Sequence, residues 1–191
     1  VAVAEKDKRI GLVGPKTYYY SYKGKKNFIL YAGGRILPWR EIVYEHVGNG
    51  EPDVGQYDED TDTDWCTGAG MMIRADLARH RLLNTMYPFG NEDAEYSIKA
   101  RKDGWRVVYA HRAIMWHKIG ASRAKTGKTI GRSVYWYFRF IRSNFSSVWF
   151  IYHVYFFTIV VLPKWFFKYI MFHHSTHVLR DFLSEMRVFV S

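Results

Sequence analysis

The chain has 191 residues, of which 48% are hydrophobic and 18% aromatic. This composition excludes a generally disordered chain, and the length allows a domain with a buried core. The formal net charge of +10 raises nucleic acid and anionic membranes as partners, and the only cysteine, Cys66, cannot form an internal disulfide and fits a reducing compartment.

The first part of the chain alternates strand and turn signals. Residues 1–9 are typical of the end of a helix, Gly33-Gly34 and Pro38 indicate turns, and residues 48–64 are predicted to form a polar loop. Strands are predicted at 9–14 and 28–32, and a strand passing into a short helix at 71–81. Strands that alternate with helices predict an α/β fold with a mixed sheet.

Residues 91–117 form the most informative stretch. Asn91 is a suitable N-cap, Glu92 and Asp93 fall in the first turn of a predicted helix, and Gly104 is placed to end it. Two strands follow, and His117 comes where the second should end. Adjacent helical residues point about 100° apart, so only one of the two acids can face a substrate. The alternative is ordinary capping, because the helix dipole favours acids in a first turn.

Several blocks resemble one enzyme family when they are taken together in order. TGAGMMIR at Thr67–Arg74, PFGNEDAEYSIKARKDGWRVVYA, and WHKIGASR at Trp116–Arg123 resemble the second half of family 2 glycosyltransferases, which have the GT-A fold. Upstream, RIGLVGPKTYYY and YAGGRI fit the same family. The resemblance covers roughly residues 1–144. It implies the C-terminal half of a GT-A, Rossmann-like nucleotide-sugar transferase domain, followed by a hydrophobic, aromatic-rich helical tail.

The resemblance implies roles for particular residues. Asp93 matches the family's general base and Glu92 the neighbour that orients the acceptor, while His117 matches a ligand of a divalent metal, Mn²⁺ or Mg²⁺. A sugar hydroxyl is a poor nucleophile until a base takes its proton, and a cation helps a nucleoside diphosphate to leave. The substrate-binding positions implied are Thr67, Gly68, Ala69, Gly70, Trp116 and Arg123. A turn without a ligand is the alternative for the glycines.

The family's Asp-x-Asp motif is not found in a matching position. The acidic run at residues 58–64 has no preceding apolar strand and fails as a calcium loop, so it is interpreted as a solvated loop. Gly127-Lys128-Thr129 lacks the rest of a Walker A pattern and is interpreted as a basic loop near the donor phosphates. We therefore expect the C-terminal part of a longer inverting, single-transfer enzyme that moves a sugar from a nucleoside diphosphate to a glycan or lipid-linked hydroxyl. The alternative is an inactive relic or a membrane-binding module.

The tail is basic and apolar. Residues 1–117 carry 17 Lys and Arg against 16 Asp and Glu, whereas residues 118–191 carry 11 against 2. No charged residue except histidine occurs from Ser143 to Pro163. We expect residues 1–144 to be catalytic and 145–191 to bind anionic lipid at the cytoplasmic membrane face as an interfacial helix or hairpin. One transmembrane helix or packing on protein are the alternatives. Nucleic acid is not expected, because the segment is too apolar for a strand-binding groove.

Overall fold

The computed structural model describes residues 1–87, 90–119, 130–164 and 167. The chain divides into two compact units, Val1–Pro38 with Ile42–Ala121 and Trp39–Glu41 with Ser122–Ser191. This division follows packing, whereas the sequence-based boundary after Asn144 followed charge and family resemblance.

A curled, mixed sheet forms the centre of the first unit. Strand β1 (Ile10–Tyr19) pairs in parallel with β7 (Arg106–His117) and antiparallel with β2 (Ile29–Tyr31) and β6 (Met72–Ile73). Strand β5 (Thr61–Asp62) pairs antiparallel with β7, and a separate hairpin joins β3 (Gly34–Ile36) to β4 (Tyr44–His46). The predicted α/β class with a mixed sheet is confirmed.

Among its described residues, this unit also contains the helices α1 (Ala2–Glu5), α2 (Ala75–His80) and α3 (Glu92–Lys102). The predicted strand-to-helix segment at 71–81 is therefore present as β6 and α2. One core cluster holds α2 and α3 against the sheet, and its buried members are Leu12, Cys66, Leu77, Tyr96, Ala100 and Val107. The helix that carries Glu92 and Asp93 is thus fixed to the central strands by apolar packing.

Gly104 closes helix α3 as predicted, two residues after the last helical residue, Lys102. This glycine has φ +89°, and its amide donates to the Arg101 carbonyl while the Trp105 amide donates to the Ala100 carbonyl. These two bonds are a Schellman motif, in which a left-handed residue suits glycine. The buried Ala100 and the partly buried Trp105 belong to the same core cluster.

The start of α3 differs from the prediction in its chemistry. Asn91 precedes the helix, but it adopts φ +74° and its side chain makes no capping bond. Its Oδ1 instead accepts a 2.6 Å hydrogen bond from the Tyr44 hydroxyl. A tertiary partner has therefore replaced the local cap, and Asn91 ties the start of α3 to β4.

The prediction of two strands after α3 was wrong, because β7 is one strand of 12 residues. Its pairing with β1 jumps from Pro15 opposite Ala110 to Lys16 opposite Ile114, so the extra residues form an irregularity and not a turn. Strand β1 also continues beyond the predicted end at Gly14, through Pro15, to Tyr19.

The acidic run was interpreted as a solvated loop, which the structure confirms only in part: Asp58, Glu59 and Asp62 are exposed, but Thr61–Asp62 form β5 and the aspartates make ion pairs. Asp60 binds Lys6 at 2.8 Å, Asp62 binds Arg106 at 2.9 Å, and Asp64 binds Arg101 at 2.6 Å. Asp58 binds the buried Lys16 at 2.5 Å. Because β5 lies within this run, its carboxylates are held near basic residues from distant parts of the chain.

The part of the second unit that is described from residue 130 onward is mainly helical. Helix α4 (Ile130–Asn144) is followed by α5 (Ser147–Phe156) and one π-helical turn (Phe157–Val161). Helical structure continues to Lys164, so Pro163 lies within it. Proline cannot donate to the carbonyl four residues earlier, and the widened π turn adjoins this position.

Candidate functional site

Asp93 lies in the first turn of α3, where its carboxylate is held by two backbone amides. Gly68 N donates to Oδ2 at 2.8 Å, and Ala94 N donates to Oδ1 at 2.8 Å. Ser97 Oγ donates to the Asp93 carbonyl at 2.8 Å and accepts from the Cys66 amide at 3.1 Å. The start of α3 and the segment from Cys66 to Gly68 therefore form one hydrogen-bonded arrangement.

The predicted turn at Thr67–Gly70 is present. The Gly70 amide donates to the Thr67 carbonyl at 3.3 Å, and the Ala69 amide donates to Thr67 Oγ1 at 3.4 Å. A Cβ atom at Gly70 would overlap Met115 Sδ and lie 2.9 Å from Pro15 Cγ. Close approach to β1 and β7 therefore explains this glycine, and sugar binding by the turn stays a prediction.

Two buried side chains, Tyr31 and Cys66, interact electrostatically with Asp93. The Tyr31 hydroxyl donates to the Trp65 carbonyl at 2.7 Å. Burial, with a smaller contribution from the negative charge of Asp93, raises the pKa of the Cys66 thiol to about 12. The pKa of Tyr31 is likewise raised well above its usual value, mainly by burial. These two groups are therefore neutral at physiological pH.

His117 is the last residue of β7, as predicted, and its carbonyl accepts a 3.1 Å hydrogen bond from the Tyr20 amide. Trp116 is 60% exposed and stacks on Tyr18, with 5.9 Å between the ring centroids. Successive strand residues point to opposite faces of a sheet. His117 therefore lies on the same face as Met115, whose side chain is next to Gly70, and Trp116 lies on the opposite face. The sequence had placed Trp116 and His117 in one site, but the strand directs them to different faces.

His46 is a site residue that the sequence did not predict. Burial lowers its pKa, while the negative charge of Asp93 raises it and His117 lowers it. His46 is therefore within electrostatic range of both predicted residues. The sequence signal was weak, because a single histidine in a short strand after a proline-containing turn has no motif around it.

Glu92 is the first residue of α3 and is half-buried. Arg123 and the Gly127-Lys128-Thr129 loop lie outside the described residues. Glu95 is a further acid that the sequence did not single out; it is buried and binds Lys99 and the Asn84 amide group. Burial alone would raise the pKa of Glu95, but hydrogen bonds from Lys99, Tyr87 and Asn84 outweigh it, so the pKa is lowered.

The described residues do not form a metal site on their own. Among them, no three side chains of His, Cys, Asp or Glu come together in a way that could hold an ion. His117 is therefore at most one ligand of a metal whose other ligands would come from elsewhere. The predicted Mn²⁺ or Mg²⁺ remains an expectation from the resemblance.

A polar cleft of about 660 Å³ lies elsewhere in the first unit. Gly33, Arg35, Tyr57 and Tyr109 line it, together with carboxylates of the acidic run, Asp58, Glu59, Asp62 and Asp64. None of the predicted site residues lines this cleft. The arrangement around Asp93 is thus distinct from it.

Comparison of the chain with protein-family models, with curated proteins and with solved structures finds no match. The sequence motifs and the geometry around Asp93 are therefore the basis for a functional assignment.

Proposed function

We propose that the first unit is the acceptor side of a glycosyltransferase that moves a sugar from a nucleoside-diphosphate sugar to a hydroxyl group. The observation that carries the proposal is the bond between Gly68 and Asp93. It joins the TGAG block to the Glu-Asp block, two of the three blocks on which the family resemblance rests. The third block contributes His117. Both His117 and Asp93 interact electrostatically with His46.

Asp93 is proposed as the general base. A carboxylate oxygen can accept two hydrogen bonds, and each Asp93 oxygen accepts one from a backbone amide. The remaining lone pairs can accept the proton of an acceptor hydroxyl. Fixing the carboxylate by backbone amides reduces its motion, which favours proton transfer to a base already in position. Glu92, about 100° around the helix, is proposed to orient the acceptor.

The donor side of the reaction rests on the resemblance alone. A divalent Mn²⁺ or Mg²⁺ ion would neutralise charge on the leaving nucleoside diphosphate, and His117 is the residue proposed to contact it. The substrate contacts proposed for Thr67, Gly68, Ala69, Gly70, Trp116 and Arg123 have the same basis. We propose that further donor-binding elements come from a longer protein.

Transfer assays on the full-length protein test this proposal. Radiolabelled nucleoside-diphosphate hexoses would be incubated with membranes and soluble glycans, with and without Mn²⁺, and the products separated by chromatography. Label appearing in a glycan or lipid product is the expected result. Absence of transfer from every donor, with a folded protein and added metal, would contradict the enzyme proposal.

Membrane binding by the second unit is the second proposed function. By length and composition, residues Ser147–Lys164 form one helix that could cross a membrane. Its mean hydropathy is 1.4, and 11% of the segment is buried inside the protein. Exposed apolar side chains recur at helical spacing, Val148, Ile151, Tyr155 and Ile159. We propose that this segment contacts lipid at the cytoplasmic membrane face. A membrane-binding module without catalysis remains the alternative that the transfer assay addresses.

A further inference from the structure

We infer that His46 is a positioning residue that accepts a hydrogen bond from a hydroxyl of the acceptor sugar through its Nε2 atom. This inference rests on the proposed function and adds a residue to the same site. The hydrogen bonding of the imidazole ring, the packing that holds it and its neighbours Asp93 and His117 support this role.

The hydrogen bonding of His46 identifies which nitrogen carries the proton. His46 Nδ1 lies 3.0 Å from the Leu30 carbonyl oxygen. A carbonyl oxygen can only accept, so Nδ1 must donate and must therefore be protonated. In the neutral ring the proton on Nδ1 leaves Nε2 with a lone pair. Burial, the largest influence on the pKa of His46, lowers it and favours this neutral form.

Nε2 is the available acceptor atom of the ring. Within the part of the chain that the structure describes, no group donates a hydrogen bond to it. A sugar hydroxyl other than the one that reacts is the type of group that such an atom binds, because it can donate its proton to His46 Nε2 while its oxygen accepts a second contact.

The ring is held rigidly. Its centroid lies 5.4 Å from that of Tyr31 and 4.9 Å from that of Trp65, both of which are buried. Trp65 in turn packs against Gly34, the residue opposite His46 in the hairpin, where any side chain would overlap the indole ring. A positioned acceptor with little rotational freedom is what orientation of a substrate requires.

The location of His46 relates this acceptor atom to the proposed base. Asp93 and His117 both act electrostatically on His46. Tyr44, two residues before His46 in β4, donates to Asn91 at the start of α3, so the strand that carries His46 is attached to the helix that carries Asp93. A hydroxyl held by His46 would therefore lie in the neighbourhood of Asp93.

Nuclear magnetic resonance of the ¹⁵N-histidine-labelled 191-residue chain tests the inference without requiring transfer. Long-range ¹H–¹⁵N spectra distinguish the two tautomers, and comparison with His46→Gln assigns the His46 signals. We expect the Nδ1-protonated form. A ring protonated at Nε2 would overturn the inference, because that atom could not then accept a hydrogen bond.

The same labelled chain is titrated with the methyl α-glycosides of glucose, mannose and galactose, and with permethylated methyl glucoside as a control that has no hydroxyl. We expect a saturable shift of His46 Nε2 with at least one hydroxyl-bearing glycoside and none with the control. Equal shifts with the control, or no shift with any of the three glycosides, would overturn the inference.

Two variants separate positioning from folding. His46→Asn retains a donor near Nδ1 for Leu30 but removes Nε2, and it should weaken glycoside affinity about tenfold, as expected for one lost hydrogen bond. His46→Gln places an amide oxygen near Nε2 and should retain affinity within about threefold. Unchanged affinity in a folded His46→Asn variant would contradict the inference.

Glycoside binding without transfer in the full-length protein would contradict the enzyme proposal alone, and transfer without a His46 shift would contradict this inference alone.

Discussion

The amide nitrogen of Gly68 lies 2.8 Å from Asp93 Oδ2, although 25 positions separate the two residues. Helix packing against the central strands makes this contact possible, since Cys66, next to the Thr67–Gly70 turn, and Tyr96 and Ala100 of α3 share one core cluster. The position of the carboxylate is thus set by the fold of the whole first unit.

Asp93→Asn should lower sugar transfer by at least about a hundredfold in the full-length protein, because the amide cannot accept the hydroxyl proton. Donor affinity should stay within about threefold, since the base acts on the acceptor. Initial rates and donor binding by calorimetry measure the two effects. Asp76→Asn is the matched control, because Asp76 is 63% exposed and pairs with Arg79 in its own helix. Transfer by Asp93→Asn close to that of the wild type would remove Asp93 from the mechanism.

Gly70→Ala should destabilise the first unit by about 1–3 kcal/mol, the usual cost of overpacking. The added methyl group would overlap Met115 Sδ and the Pro15 ring, which belong to two strands of the sheet. Gly68→Ala is the matched control, because its methyl group would lie 3.4 Å from Asp93 Cβ, which is ordinary contact. Urea denaturation gives both free energies of unfolding. Equal stability of the two variants would show that Gly70 is not required by packing.

Glu95→Gln should lower the free energy of unfolding by about 1–3 kcal/mol at pH 7, because a buried carboxylate paired with Lys99 is replaced by a neutral amide. The folded-state pKa of Glu95 lies below the usual 4.5. Its contribution is therefore complete above the unfolded pKa and is lost as pH falls through the folded value. Denaturation at pH 7, 5 and 3 should show the difference between variant and wild type shrinking with acid. A difference that grows as pH falls would contradict this assignment.

Cys66 offers a test of the core through its reactivity. The thiol is buried and its pKa is about 12, so very little thiolate is present at pH 8. Modification by a disulfide reagent should be slower by at least about a thousandfold in the native chain than in guanidinium, because the thiolate is the reactive species. The absorbance of the thiol released by the reagent measures the rate in the native and in the unfolded chain. Because Cys66 is the only cysteine of the sequence, the whole signal comes from this residue. Rapid labelling of the native chain would mean that this core is open.

The sequence predicted features that depend on neighbours along the chain. Helix α3, its end at Gly104, the Thr67–Gly70 turn and the end of β7 at His117 all follow from local signals. The features it missed depend on distant partners. Asn91 was predicted to cap its own helix but binds Tyr44. The exposure predicted for the aspartates at 58–64 holds for Asp58 and Asp62, but their ion pairs with Lys16, Lys6, Arg106 and Arg101 were not predicted. His46 belongs to the same class, because only the tertiary fold relates it to Asp93 and His117.

The chain should bind vesicles through the helix at Ser147–Lys164. Binding should need anionic lipid and weaken as salt rises, because each basic residue near the surface contributes about 1 kcal/mol and salt screens that attraction. Replacing the exposed Val148, Ile151 and Ile159 by serine should abolish binding while leaving the fold intact, since these side chains are largely exposed.

Co-sedimentation with neutral and anionic vesicles at two salt concentrations measures this effect, and the buried Phe138→Leu is a control for general changes in packing. Burial of the apolar face should leave some binding that resists salt. Retention in the membrane after extraction with alkaline carbonate would indicate a spanning helix, and release would indicate an interfacial one. Equal sedimentation of the triple serine variant and the wild type would exclude this face of the helix as the anchor.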